Sequence, residues 1–166
     1  MVRRPVRFFV SYAQKDARLV NGLLEFLRIH FKASAKYDYT AWDDGRLLAG
    51  ERWHERIQEE VRNCDFGLLF LSPAFLASDY IKDNELPLLL AGGLIVPVGL
   101  KPIDFTLHQA LSLDEYQVFR LRTSKGQWWY SDLRVASHRE DFALELFRQI
   151  EARLSAAPLA ASRSAT

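Results

Sequence analysis

Glu85 stands in the stretch SDYIKDNELP, from Ser78 to Pro87, a polar interruption between an apolar run and a leucine-rich one. A carboxylate at such a boundary is either a solvated residue at the start of a helix or a group that does chemistry. The chemistry open to one ionised carboxylate is the stabilisation of developing positive charge and the binding of hydroxyls. Pro87 supplies a local argument. Proline is tolerated in a first helical turn and costs about 3 kcal/mol in an interior, so a helical segment starts, or is kinked, near Asp83 or Asn84. Glu85 then lies beside free backbone N–H groups at a helix N-terminus, which favour an anion. Tyr80 is five residues before Glu85 and Ser78 seven before, on its face if the helix is unbroken.

Other reactive side chains are sparse. His54, His108 and His138 lack metal-ligand spacing, and no metal is expected. Cys64 is the single cysteine, which excludes an internal disulfide and fits a reducing compartment. Formal net charge is +1 over 166 residues, so there is no basic field for nucleic acid and no acidic tail. No run approaches the roughly 18 apolar residues of a membrane span, and MVRRPVRFFVSYAQKD is too short in apolar residues for a signal peptide. These features predict a soluble cytoplasmic protein. The length suits one domain, residues 1–154. From Ser155 the sequence SAAPLAASRSAT turns to small residues, expected as a flexible tail or a linker to a further domain.

The elements that must position Glu85 follow from periodicity. Arg7 to Tyr12 is β-branched and aromatic and predicts a buried strand. Leu19, Leu23, Phe26, Leu27 and His30 recur at helical spacing behind Asp16, the expected N-cap. Tyr37 to Trp42 predicts a second strand, followed by the loop from Asp43 to Gly50. Trp53, Ile57 and Val61 form one stripe of a helix ending at Asn63. Phe66 to Leu71 is apolar on both faces, as in a central parallel strand. Leu94 to Leu100 predicts a strand with Pro97 at a bulge or edge, Val118 to Leu121 a weaker one, and Asp141 to Leu154 a closing helix. Trp128, Trp129 and Tyr130 are read as core or edge packing. The alternation implies an α/β, flavodoxin-like doubly wound parallel sheet of about five strands, with ligands at the crevice between the first and third.

Three tenants of that fold fail at the strand ends. Ser-Tyr-Ala-Gln-Lys-Asp after the first strand contains neither the G-x-G-x-x-G cradle of a dinucleotide-binding domain nor a flavodoxin's phosphate loop. Leu71-Ser72 stands where a receiver domain needs an aspartate. By contrast, Phe8-Phe9-Val10-Ser11-Tyr12-Ala13 with Asp16 resembles the opening strand of Toll/interleukin receptor (TIR) domains. Trp42 to Trp53 is similar to that family's second strand and BB loop, Cys64 to Ser78 to its third strand and Ser-Pro turn, and Asn84-Glu85-Leu86-Pro87 to the N-E-L-P of bacterial members. The resemblance covers roughly Pro5 to Leu154, with four motifs in order.

The resemblance implies cleavage of NAD+ at the nicotinamide–ribose bond, giving nicotinamide and ADP-ribose or a cyclic isomer. Glu85 falls on the family's catalytic glutamate, and NAD+ is substrate, with no cofactor. Glycosidases generally use two carboxylates because a poor leaving group must be protonated. Nicotinamide leaves as a neutral ring, so one carboxylate suffices. Ser11, Tyr12 and Ala13 match the loop that lines the nucleotide pocket, or are plain turn residues. Trp53 matches a position that contacts adenine, or packs with Ile57 and Val61. Asp43 ends the second strand at the crevice, or serves only its Asp-Asp-Gly turn. Ser78 and Tyr80 complete the expected substrate wall, although many active relatives carry their aromatic residue four before the glutamate, where this chain has Ile81. Leu47 and Leu48, adjacent leucines without an evident core, are expected to dock on a neighbouring TIR domain, so that the protein self-associates into an oligomer or filament. The family further implies an antiphage effector activated through a sensor domain or partner, or alternatively a non-enzymatic signalling adaptor. No direct nucleic-acid or membrane partner is expected.

Overall fold

In the computed structural model, which describes residues 2–42 and 52–157, four strands form a parallel sheet in the order β2-β1-β3-β4. They are β1 Arg4–Ser11, β2 Tyr37–Ala41, β3 Phe66–Leu71 and β4 Ile95–Gly99. The helices are α1 Ala17–Ala33, α2 Trp53–Asn63, α3 Pro73–Leu76, α4 Leu86–Gly92 and α5 Ala136–Ala156.

Strand alternation sorts the core into two layers. Val6 and Phe8 of β1, Phe66, Leu68 and Phe70 of β3, and Val96 and Val98 of β4 face α1 and α5, where Leu23, Leu27, Phe142 and Leu146 meet them. Phe9, Leu69, Leu71 and Ile95 face the other way, against Ile57 and Val61 of α2 and Leu86 and Leu89 of α4. This is why every residue of β3 is buried. The helices on both faces make the α/β, flavodoxin-like fold that the alternation predicts. Glu60 pins α2 to the sheet from a buried position, accepting Arg7 Nη2 at 2.7 Å and Arg56 Nη2 at 3.0 Å.

Three features differ from the sequence reading. Asp16 occupies the N-cap position of α1 but makes no capping bond, because its carboxylate is engaged by Ser72 and Lys101. The position after β4 holds a single parallel bridge, Val98 to Phe119, in place of a fifth strand. The chain there turns at once into an antiparallel hairpin, β5 Leu121–Thr123 with β6 Gly126–Trp128, whose turn uses Gly126 at φ 119°. Pro97 is an edge residue: its carbonyl accepts the Phe119 N–H at 2.8 Å, so its missing N–H is turned away from β3. Ser155 and Ala156, expected in the tail, are the last residues of α5, and Ser155 Oγ is 3.1 Å from Tyr37 Oη. Tyr130 is core, 5.1 Å from the Phe142 ring. Trp128 is half-buried on β6, and Trp129 lies under the Arg120 guanidinium at 4.6 Å.

Candidate active site

Ser11 ends β1 on the same face as Phe9, the face covered by α2 and α4, in register with Leu69 of β3. Its hydroxyl therefore points from the sheet toward the segment that leads into α4. There Ser11 Oγ, from a residue only 1% exposed, donates to Glu85 Oε2 at 2.6 Å. A hydroxyl bonded to a carboxylate is a charge-assisted contact, short and directional. It fixes the orientation of a half-buried glutamate at the carboxyl end of the β1–β3 crevice, where ligands of doubly wound sheets bind.

The backbone around Glu85 corrects the expectation of a helix start. Helical structure begins at Asp79, with Ser78 as its cap: Ser78 Oγ accepts the Ile81 N–H at 3.3 Å and Ser78 O the Lys82 N–H at 3.1 Å. Ile81–Glu85 is a π turn, closed by the Leu86 N–H donating to Ile81 O, and α4 follows directly. Glu85 thus lies inside continuous helical backbone, and the free N–H groups of an N-terminus do not reach it. The N-E-L-P motif acquires a physical reading residue by residue. Asn84 Nδ2 donates to Tyr80 O at 3.1 Å, supporting a carbonyl whose helical partner the widened turn displaces. Glu85 takes the bond from Ser11, Leu86 is buried in the core, and Pro87 brings no N–H to a ladder already shifted in register. The extra residue in the turn also carries the side chain five before Glu85 toward the place that an α-helix assigns to the one four before.

These elements enclose a cavity of about 630 Å³. Glu85, Tyr12, Ala13, Trp53, Ser78 and Tyr80 all line it, so the structure brings together most of the residues singled out by sequence. Ser11 stands behind Glu85 as its donor. Trp53, on the first turn of α2, is 43% exposed and leans on the Tyr80 ring at 5.1 Å, so this end of the stripe it shares with Ile57 and Val61 faces the cavity, beside Ile57, and does not pack into the core. Ile81 and Tyr80 both line the cavity, Ile81 buried and Tyr80 half-buried against the core. Asp43, Leu47 and Leu48 lie outside the described residues.

Sequence reasoning missed Gln14, in the short turn before α1, Asn21, Leu24 and Arg28 along α1, and Trp42, whose ring stacks on Phe9 at 5.6 Å. Asn21 and Arg28 read locally as part of an ordinary solvated helix face and Leu24 as core, and only the position of α1 beside the sheet makes them cavity wall. Next to the crevice, buried Asp16 accepts Ser72 Oγ and pairs with Lys101 Nζ at 2.6 Å. This joins the ends of β1, β3 and β4, and Ser72 Oγ also accepts the Phe75 N–H at 3.0 Å to cap α3. Cys64 donates to Val61 O at 3.0 Å. Burial, reinforced by the adjacent Asp65, pushes its thiol up to about 11. Among the described residues no group of His, Cys, Asp and Glu is arranged to hold a metal ion, and no helix is long and apolar enough to cross a membrane.

Comparison with known proteins agrees with this architecture. The chain is 28% identical over 102 residues to "Uncharacterized protein y4lF" of Sinorhizobium fredii (strain NBRC 101917 / NGR234), a match that takes in 58% of this chain and 31% of that protein. The chain therefore spans about a third of the length of that relative. A family model described as TIR domain matches residues 8–134, from within β1 to just before α5. That match covers the four-stranded sheet, the crevice and the turn bearing Glu85, and the chain belongs to the TIR domain family.

Proposed function

We propose that the domain is an NAD+ glycohydrolase in which Glu85 is the catalytic residue. The observation that carries this reading is a carboxylate oriented by a buried serine hydroxyl and facing a cavity walled by Trp53 and Tyr80. In the reaction the bond between the ribose C1′ and the nicotinamide nitrogen breaks, and its electron pair leaves with nicotinamide as a neutral ring. The carboxylate of Glu85 stabilises the oxocarbenium charge left on the ribose and holds its hydroxyls. Water then adds to C1′ and loses a proton, giving ADP-ribose; attack by an adenine nitrogen of the same molecule instead gives the cyclic isomer. Tyr80 and Trp53 supply aromatic surface for the bases. The role in antiphage defence, the cytoplasmic setting and activation by self-assembly through Leu47 and Leu48 belong to this proposal.

The test is to incubate concentrated or crowded protein with NAD+ and follow nicotinamide, with Glu85→Gln in parallel. Release by the wild-type protein and loss of at least about a hundredfold in the variant are expected, the size of effect typical of removing an electrostatic stabiliser. Release that survives the substitution sinks the catalytic role. If neither protein releases nicotinamide under assembling conditions, the adaptor reading takes its place.

A further inference from the structure

Among the described residues that line the cavity, Glu85 is the one carboxylate and Arg28 the one cation. They belong to opposite sides of the sheet. Glu85 precedes α4, which covers the Phe9 face, whereas Arg28 is on α1, which covers the Val6 and Phe8 face. The cavity passes between them around Val10, Ala41 and Trp42, at the carboxyl ends of β1 and β2. Asn21, Leu24 and Arg28 are spaced by three and four, hence one stripe of α1, and Asn21 to Arg28 spans about 10 Å of its axis. None of the ion pairs among the described residues involves Arg28. The contrast is with Arg7 and Arg56 on Glu60, Arg52 on Glu55 and Arg148 on Glu145, which spend their charge on neighbouring carboxylates.

We propose that Arg28 is an anion subsite that takes the pyrophosphate of the dinucleotide, with Asn21 as a neutral hydrogen-bonding group two turns back along α1. The identity of the ligand rests on the reading of the site as NAD+-cleaving; the polarity of the cavity is a separate observation. NAD+ is itself polar in the matching sense, with a cationic nicotinamide ring at one end and two phosphate charges beyond the ribose. Glu85 attracts the first and repels the second, and Arg28 does the opposite, so the pair selects one direction of binding. A guanidinium presents a planar fork of donors that fits phosphate oxygens two at a time. Selection for a phosphorylated ligand over a plain nucleoside then follows from Arg28, and bond cleavage from Glu85.

The experiment is titration of the full chain with ADP-ribose, which has the pyrophosphate but no scissile bond, by calorimetry. It is run on wild type, Arg28→Ala, Arg28→Lys and the control Arg18→Ala, since Arg18 is exposed on α1 but outside the cavity. Arg28→Ala is expected to weaken binding about tenfold, as for loss of a charged hydrogen bond, with partial recovery in Arg28→Lys and no change in Arg18→Ala. In turnover with NAD+, KM rises and kcat holds. The subsite is overturned by wild type that shows no saturable binding, by Arg28→Ala that binds as tightly as wild type, or by an equal loss in Arg18→Ala. Arg28-dependent binding in a protein that releases no nicotinamide keeps the subsite and removes the glycohydrolase reading. Turnover with an unchanged KM in Arg28→Ala does the reverse.

Discussion

Ser11 and Glu85 are 74 residues apart in the chain and 2.6 Å apart in the fold. The glutamate was singled out in sequence by the N-E-L-P motif that resembles bacterial TIR domains, since its apolar context beside Pro87 fits a plain capping residue as well. Its partnership with Ser11 was not, because a serine ending a strand has the same local signature whether it binds substrate or supports another side chain. The structure assigns Ser11 the supporting contact. Ser11→Ala should therefore leave the fold intact by circular dichroism and slow nicotinamide release about tenfold through kcat, the loss expected when a charged hydrogen bond is removed. An unchanged rate would show that the bond does not matter to catalysis. Cys64 allows a second prediction at this scale. Its folded pKa of about 11 lies above the ordinary thiol value of 9.0, so the native state retains the thiol proton after the unfolded chain has lost it. The resulting stabilisation is fully present below pH 9 and is lost as pH rises through about 11. Chemical denaturation across that window should show a decline of about 2 kcal/mol that Cys64→Ala lacks. Parallel declines in both proteins would refute it.

At the scale of elements, helices and strands were readable wherever one face is apolar, because burial of that face is what stabilises them. Phe66–Leu71 has the bounds its composition predicts. The start of the helical segment before α4 was misplaced, since a proline argues for a first turn unless a π turn absorbs it, and in that turn Asn84 bonds the Tyr80 carbonyl. The weak fifth strand became a bridge because the chain after Phe119 pairs with itself in a hairpin. Gly99 is what lets that segment approach. A Cβ added there would lie 2.8 Å from both Arg120 Cγ and Trp129 Cε3 and 2.9 Å from the Phe119 carbonyl oxygen. Gly99→Ala must shift backbone as well as side chains, and is expected to destabilise by about 1–3 kcal/mol, measured as a lowered denaturation midpoint. A midpoint equal to wild type would mean that the Phe119 segment yields freely. At Gly67 the close neighbour is Leu89 Cδ2 at 2.7 Å, the tip of a side chain that can rotate, so Gly67→Ala should cost less.

At the scale of the whole molecule, the doubly wound order brings the ends of β1, β3 and β4 together, and the Asp16–Ser72–Lys101 cluster ties them. Assembly between copies is argued from sequence, where Leu47 and Leu48 adjoin in a polar loop that shares the TIR pattern. Leu47→Asp with Leu48→Asp should abolish self-association in light scattering while thermal unfolding stays cooperative; assembly at the wild-type level would count against the loop as the contact. By itself the sequence determined the alternating elements, the family resemblance and the one carboxylate worth following, because burial periodicity and short motifs are local properties of the chain. Only the tertiary structure decided that Ser11 orients Glu85, that a π turn rather than a helix start surrounds it, and that Arg28 faces the same cavity. Those depend on which faces of distant elements meet, a matter of sheet order and packing that no local pattern encodes.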